Sequence, residues 1–201
     1  MKSNEIVKIY GTDYKEMTKK LLSVCNLAGM MDARGLSRDA LIGIKPNLVT
    51  CSPAEYGATT HPEIIAGIIE YLKENGHLNM VIIEGSWVGD KTQEAFLYCG
   101  YENLSRKYGV ELFDTQKDSS FKADCAGMEL SICNRVKDID FLINVPVLKG
   151  HCQTKMTCAL KNMKGLIPNS EKRHFHQMGL HKPIAHLNTY IHQDFIVVDH
   201  I

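Results

Sequence analysis

Between Asn144 and His176 the chain reads NVPVLKGHCQTKMTCALKNMKGLIPNSEKRHFH, a run in which Lys149, His151, Lys155, Lys161, Lys164, Lys172, Arg173, His174 and His176 meet a single acid, Glu171. The chain as a whole is balanced, 23 Lys+Arg against 23 Asp+Glu. A local excess of cations in a neutral chain points to an anionic ligand, held where a strand opens into a loop. A solvated basic face is the plain alternative. Gly150, Asn162, Gly165, Pro168 and Asn169 punctuate the run, so it reads as a shaped loop rather than a charged helix face.

Each residue type there has its own chemistry. Lys149 or Lys161, crowded by other cations, would have a depressed pKa and could act as a base or condense with a carbonyl. His151 titrates near neutrality and could shuttle protons. Cys152, beside His151 and the lysines, would be a reactive thiol if exposed and an inert one if buried. His174 and His176, with His181, His151 and Cys152 nearby, offer imidazole and thiolate to a metal ion. Their spacing matches no zinc pattern, and residues two apart share a face only in extended structure. Anion-binding or solvated histidines are the alternative. Cys152 and Cys158 stand too far apart to hold an iron–sulfur cluster, so none is expected within the chain.

These residues need elements to position them. Strands are expected at 5–10, 40–45, 80–83, 110–113, 128–133, 141–147 and 195–198, and helices at 14–27, 61–75, 91–108 with a break at Gly100, and 183–192. Thr60 and Glu63 have the capping-box spacing, with Pro62 in the first turn. Repeated strand–loop–helix units imply an α/β fold: one domain over residues 1–201, with an open, mostly parallel sheet, helices on both faces and possible antiparallel edge strands near 121–133. An apolar run ending at Val198 suggests a unit cut short at its C-terminus.

In such sheets ligands bind outside the carboxyl ends of the strands. The residues just after each strand are Lys45, Pro46 and Asn47; Glu84, Gly85 and Ser86; Asp114; Lys149 and His151; and Asp199. Lys45 and Lys149 both follow apolar strands, which puts their ammonium groups at one edge. The segment Gly85 to Thr92 lies between a strand and a helix, but its glycines are one residue too close for a P-loop and Asp90 precedes Lys91, so nucleotide triphosphates are disfavoured. No G-x-G-x-x-G follows the first strand.

Other classes fall to composition. The charge balance argues against nucleic acid or a membrane surface as partner, and the basic run has one aromatic, Phe175, where single-strand binding wants several. No apolar run reaches the length of a membrane span, and Glu5 and Lys8 interrupt any signal-peptide core, which points to the cytoplasm. Seven scattered cysteines in that setting read as reduced thiols.

Lys45-Pro46-Asn47, Thr60-His61-Pro62, Glu84-Gly85, Val145-Pro146-Val147-Leu148-Lys149-Gly150-His151, Lys161-Asn162-Met163-Lys164-Gly165 and Val197-Val198-Asp199, in that order, resemble the family of the domain of unknown function DUF362. Some of its members carry a ferredoxin-like iron–sulfur domain. The resemblance therefore implies a redox setting and an iron–sulfur or ferredoxin-like partner, and a domain that continues past the strand ending here. Taken together, the sequence leads to an enzyme or enzyme domain that binds a small anionic substrate, carboxylate or phosphate. Lys45 and Asn47 would hold one end; Lys149, Lys161 and Lys164, with Asn162, would surround the charge; His151 would move protons; Glu84 and Asp199 would orient a cation or a lysine. A non-catalytic docking partner of an iron–sulfur protein is the alternative.

Overall fold

Along the first strand Ile42 and Ile44 join one apolar cluster, which leaves Gly43 and Lys45 to the opposite face, and this alternation sets the architecture. The computed structural model describes residues 5–200. In chain order the elements are α1 (Tyr14–Val24), α2 (Leu27–Ala33), β1 (Ile42–Pro46), α3 (Pro62–Glu74), β2 (Met80–Glu84), α4 (Thr92–Tyr98), α5 (Tyr101–Tyr108), β3 (Glu111–Asp114), β4 (Ser120–Asp124), β5 (Glu129–Cys133), β6 (Phe141–Val145), β7 (Lys149–His151), β8 (Lys155–Thr157), α6 (Ala159–Asn162), α7 (Asn169–Met178), α8 (His181–Tyr190) and β9 (Phe195–Ile196). The main sheet has five strands in the order β3-β2-β1-β6-β9, and every pair is parallel.

Helices cover both faces. On one side α1, α2, α3 and α5 pack their apolar residues on Ile42, Ile44, Ile82, Phe141, Ile143 and Val145. α3 contributes most, with Ile64, Ile65, Ile68, Ile69 and Leu72 all buried, each worth about 1.5–3 kcal/mol of burial. On the other side Met163, Leu166, Phe175, Ile184 and Leu187 meet Ile83 and Leu142. Consecutive strands leave β1 in opposite directions, towards β2 on one side and β6 on the other. The crevice outside the ends of β1 and β6 is thus a topological switch point.

Several local expectations are corrected. Residues 5–10 form no strand; the sheet begins at β1. Helix 14–27 stops at Val24, where Asn26 in the left-handed region turns the chain into α2. α3 lacks a capping box because the Thr60 hydroxyl donates to the Val145 carbonyl and accepts from Asn47 N–H. β4 and β5 pair with each other as a separate hairpin and do not extend the main sheet. The basic run expected to be a loop is mostly ordered into the β7–β8 hairpin, α6, a 3-10 turn at Met163–Leu166 and α7. Gly100 does break the 91–108 pattern, with a positive φ of 79° between α4 and α5. Among the described residues no helix is long and apolar enough to cross a membrane.

Candidate functional site

Lys45 is completely buried at the end of β1, and its ammonium has three hydrogens and three acceptors: Pro46 O at 2.7 Å, Glu84 Oε2 at 2.8 Å and Asn162 Oδ1 at 3.4 Å. Burial lowers its pKa, opposed by the Glu84 carboxylate. Glu84, at the end of β2, is as fully engaged: Oε2 also accepts from Leu48 N–H at 2.7 Å, and Oε1 from Gly85 N–H at 2.7 Å. Asn162 donates to the carbonyls of Lys45 and Pro46 and to Asn144 Oδ1. Asn144, on β6, donates to Ala159 O at 3.1 Å. One buried polar joint therefore pins α6 across the ends of β1, β2 and β6.

Two glycines let the joint close. A Cβ on Gly165 would stand 2.1 Å from Glu84 Oε1 and 2.5 Å from Lys45 Cε. One on Gly85 would stand 2.1 Å from Thr115 Oγ1, the hydroxyl that donates to Gly165 O. With the turn at 163–166 pressed this close to β2, the lysines on either side of it are carried to the sheet edge.

Outside the joint lies a cavity of about 410 Å³ lined by Lys149, His151, Lys161, Lys164, Lys172 and His176, with Asn47, Thr157 and a mouth of Val49, Trp87 and Val88. Glu84 is the one carboxylate in its lining. Lys149 donates to Asn47 Oδ1 at 3.1 Å and to Ala58 O. Lys172 donates to the Gly85 and Ser86 carbonyls at 3.0 and 2.8 Å. Lys161 reaches the Thr157 hydroxyl at 3.2 Å, and Lys164 lies 3.4 Å from His176 Nε2. His151 Nδ1 accepts from the backbone N–H groups of Gln153 and Thr154, so its ring proton in the neutral form belongs on Nε2.

Burial pushes all four lysines down to about 8; Lys161 lowers Lys149 further, and Lys161 and Lys172 lower Lys164. His151 and His176 are lowered by burial and then by the neighbouring lysines. At neutral pH the cavity thus holds ammonium groups poised to give up a proton beside neutral imidazoles.

The cost of this arrangement is measurable. Lys164 has no carboxylate partner among the described residues, so Lys164→Met should stabilise the protein by about 1–2 kcal/mol below pH 8, discounting for partial exposure. The folded lysine holds its proton less tightly than the unfolded one. The variant's advantage is therefore complete below pH 8, where both forms are charged, and fades as pH rises towards 10.5, where neither is. Taking the difference between the two proteins cancels the opposing effect of the buried thiols, such as Cys133, whose pKa burial raises to about 12. Urea unfolding of both proteins across pH 7 to 10 gives the curve; an advantage that does not shrink would refute the charge argument.

The other candidates fall elsewhere. Lys45 does not reach the cavity. The Asp199 carboxylate does not line the cavity: its Oδ2 accepts from His61 N–H and faces His61 Nδ1, both at 3.0 Å, which ties the chain after β9 to the start of α3. His174 and His176 occupy one helix turn, not an extended segment, and diverge. His174 Nδ1 pairs with Glu171 at 2.9 Å while His176 turns to the cavity. Among the described residues no three His, Cys, Asp or Glu side chains are grouped to share a metal ion. Cys152 is exposed in the β7–β8 turn and does not line the cavity. The segment after β2 cradles no anion with its backbone, since the N–H groups of Gly85, Ser86 and Trp87 donate to Glu84, Thr92 and Val49. Sequence reasoning missed Lys172, Trp87 and Gly165 as site residues. Lys172 had a signal in its place at the end of the basic run, but its partners are backbone carbonyls that no side-chain pattern announces.

Residues 42–201 match the family model described as Domain of unknown function (DUF362). A thylakoid-associated protein of Synechocystis sp. is 25% identical over 133 residues, which cover 66% of this chain and 41% of that protein. The matched part of the chain thus spans about two-fifths of that curated relative's length.

Proposed function

As this chain belongs to the family of the domain of unknown function DUF362, whose description specifies no reaction, the pocket has to carry the functional reading, and we propose that it binds a small anionic substrate, carboxylate or phosphate, as an enzyme or enzyme domain. The observation that carries this is the convergence of Lys149, Lys161, Lys164 and Lys172 on one cavity whose single carboxylate, Glu84, is already held by Lys45. Desolvated ammonium groups without acidic partners repel one another until an anion arrives. Lys161, with one hydroxyl as its hydrogen-bond partner, is an amine that can take a proton from a bound substrate in its deprotonated fraction, and the neutral His151 offers Nε2–H as a donor to the same cavity.

Trp87 is the only tryptophan of the chain and lines the mouth, so its emission reports occupancy. Titration with phosphate, citrate or acetate at fixed ionic strength should shift that emission saturably. Lys161→Met should weaken binding by about tenfold or more with the far-ultraviolet circular dichroism unchanged. A parent protein that responds to none of these anions would overturn the reading.

The docking reading, with an iron–sulfur partner implied by family resemblance, is favoured by Met156 on β8 and Leu160 on α6, more than half exposed on elements that pack together beside the lysines. Capture of a ferredoxin-like protein that is unaffected by saturating anion would support it over the first. The relative is named for a thylakoid association, so thylakoid extracts are a source from which to seek that partner.

A further inference from the structure

The four ammonium groups come from four different segments: Lys149 from β7, Lys161 from α6, Lys164 from the 163–166 turn and Lys172 from α7. All four line one cavity, and repulsion reaches from Lys161 to Lys149 and Lys164 and from Lys172 to Lys164. Among the described residues none of the four makes an ion pair with a carboxylate. A ligand with one charged group would leave most of that positive charge uncompensated in a partly desolvated space.

The kind of donor matters as much as the number. No arginine lines the cavity, so the planar fork that reads a single carboxylate or phosphate bidentately is missing. The backbone donors at the end of β2, which would wrap one phosphate, are all engaged within the protein. What remains is a set of point charges carried by four different segments. The mouth is different in character: Val49, Trp87 and Val88 present an apolar wall, with Trp87 half exposed.

We propose that the ligand is a polyanion, one molecule bearing several separated carboxylate or phosphate groups on a body apolar or flat enough to lie against Trp87. This deepens the anion-binding reading and rests on it. Lys149, Lys161 and Lys164 take the anionic groups, Lys172 adds its charge from behind with its hydrogens held by the Gly85 and Ser86 carbonyls and Asn169 Oδ1, and the ring or chain between those groups occupies the mouth.

A series with one ring and a rising number of carboxylates tests it: benzoate, isophthalate and trimesate, titrated calorimetrically at constant ionic strength, with phosphate and pyrophosphate as the phosphate arm. Affinity should climb roughly tenfold with each added carboxylate. Lys164→Met should flatten the series, weakening trimesate more than benzoate, and its folding is checked by the same unfolding curve as the parent. A steep rise from phosphate to pyrophosphate with a shallow carboxylate series would keep the polyanion and assign it phosphate groups. Equal affinity for benzoate and trimesate, with phosphate equal to pyrophosphate, would overturn the polyanion while leaving a simple anion site. Binding of none of the five would overturn both readings.

Discussion

Glu84→Gln should lower folding stability by about 3–5 kcal/mol, because it leaves the Lys45 ammonium buried without its counter-charge. The substitution keeps the shape and reverses the hydrogen bonding. The carboxylate accepts from Lys45, Leu48 N–H and Gly85 N–H, so whichever way the amide turns, its NH2 meets a donor. Urea unfolding followed by circular dichroism gives the number. Lys45→Met in the same protein should recover part of the loss, since an uncharged pair removes the isolated cation. A Glu84→Gln variant as stable as the parent would mean that Lys45 is neutral when folded and that the joint is not an ion pair.

Gly165→Ala should cost about 2–4 kcal/mol and weaken anion binding at the same time. The new methyl would lie 2.1 Å from Glu84 Oε1 and 2.7 Å from Lys45 Nζ, both groups with almost no freedom to retreat. Relief can come only by lifting the 163–166 turn, which moves Lys164 away from the cavity. Loss of stability with unchanged affinity would show that the turn's position does not govern the lysines. Gly150, where a Cβ would meet nothing within 4 Å, is the control: Gly150→Ala should leave the stability within about half a kcal/mol of the parent.

The fold was legible where apolar runs are strong. Residues 80–83 and 141–147 announce buried parallel strands, and the cations at the end of β1 and beyond β6 mark the sheet edge where the cavity lies. Less legible was which of those cations stay free. Lys45 and Lys149 both come at the end of an apolar run, yet Lys45 stays inside β1, sealed among three acceptors, while Lys149 stands beyond β6 and borders the cavity. That division depends on whether α6 closes over the strand end, a tertiary fact no local pattern carries. The same holds for residues 169–178, where Pro168 and Asn169 suggested a loop although they begin α7, and for Asp199, which leaves its strand as expected but meets His61, just before α3. The spacing of His174 and His176 held a usable warning, since residues two apart cannot converge once the segment is helical.

The joint at the strand ends has a consequence for how this protein can change. Lys45, Glu84, Asn162 and Asn144 complete one another's hydrogen bonds, so no one of them can be replaced without stranding a neighbour, and substitutions among them will be strongly non-additive. Lys161 and Lys164, which satisfy no backbone carbonyl, are bound by no such rule and can be exchanged while the fold survives. Descendants of this sequence are therefore free to alter the charge pattern they offer a ligand, one lysine at a time, on a frame that itself can move only by concerted change.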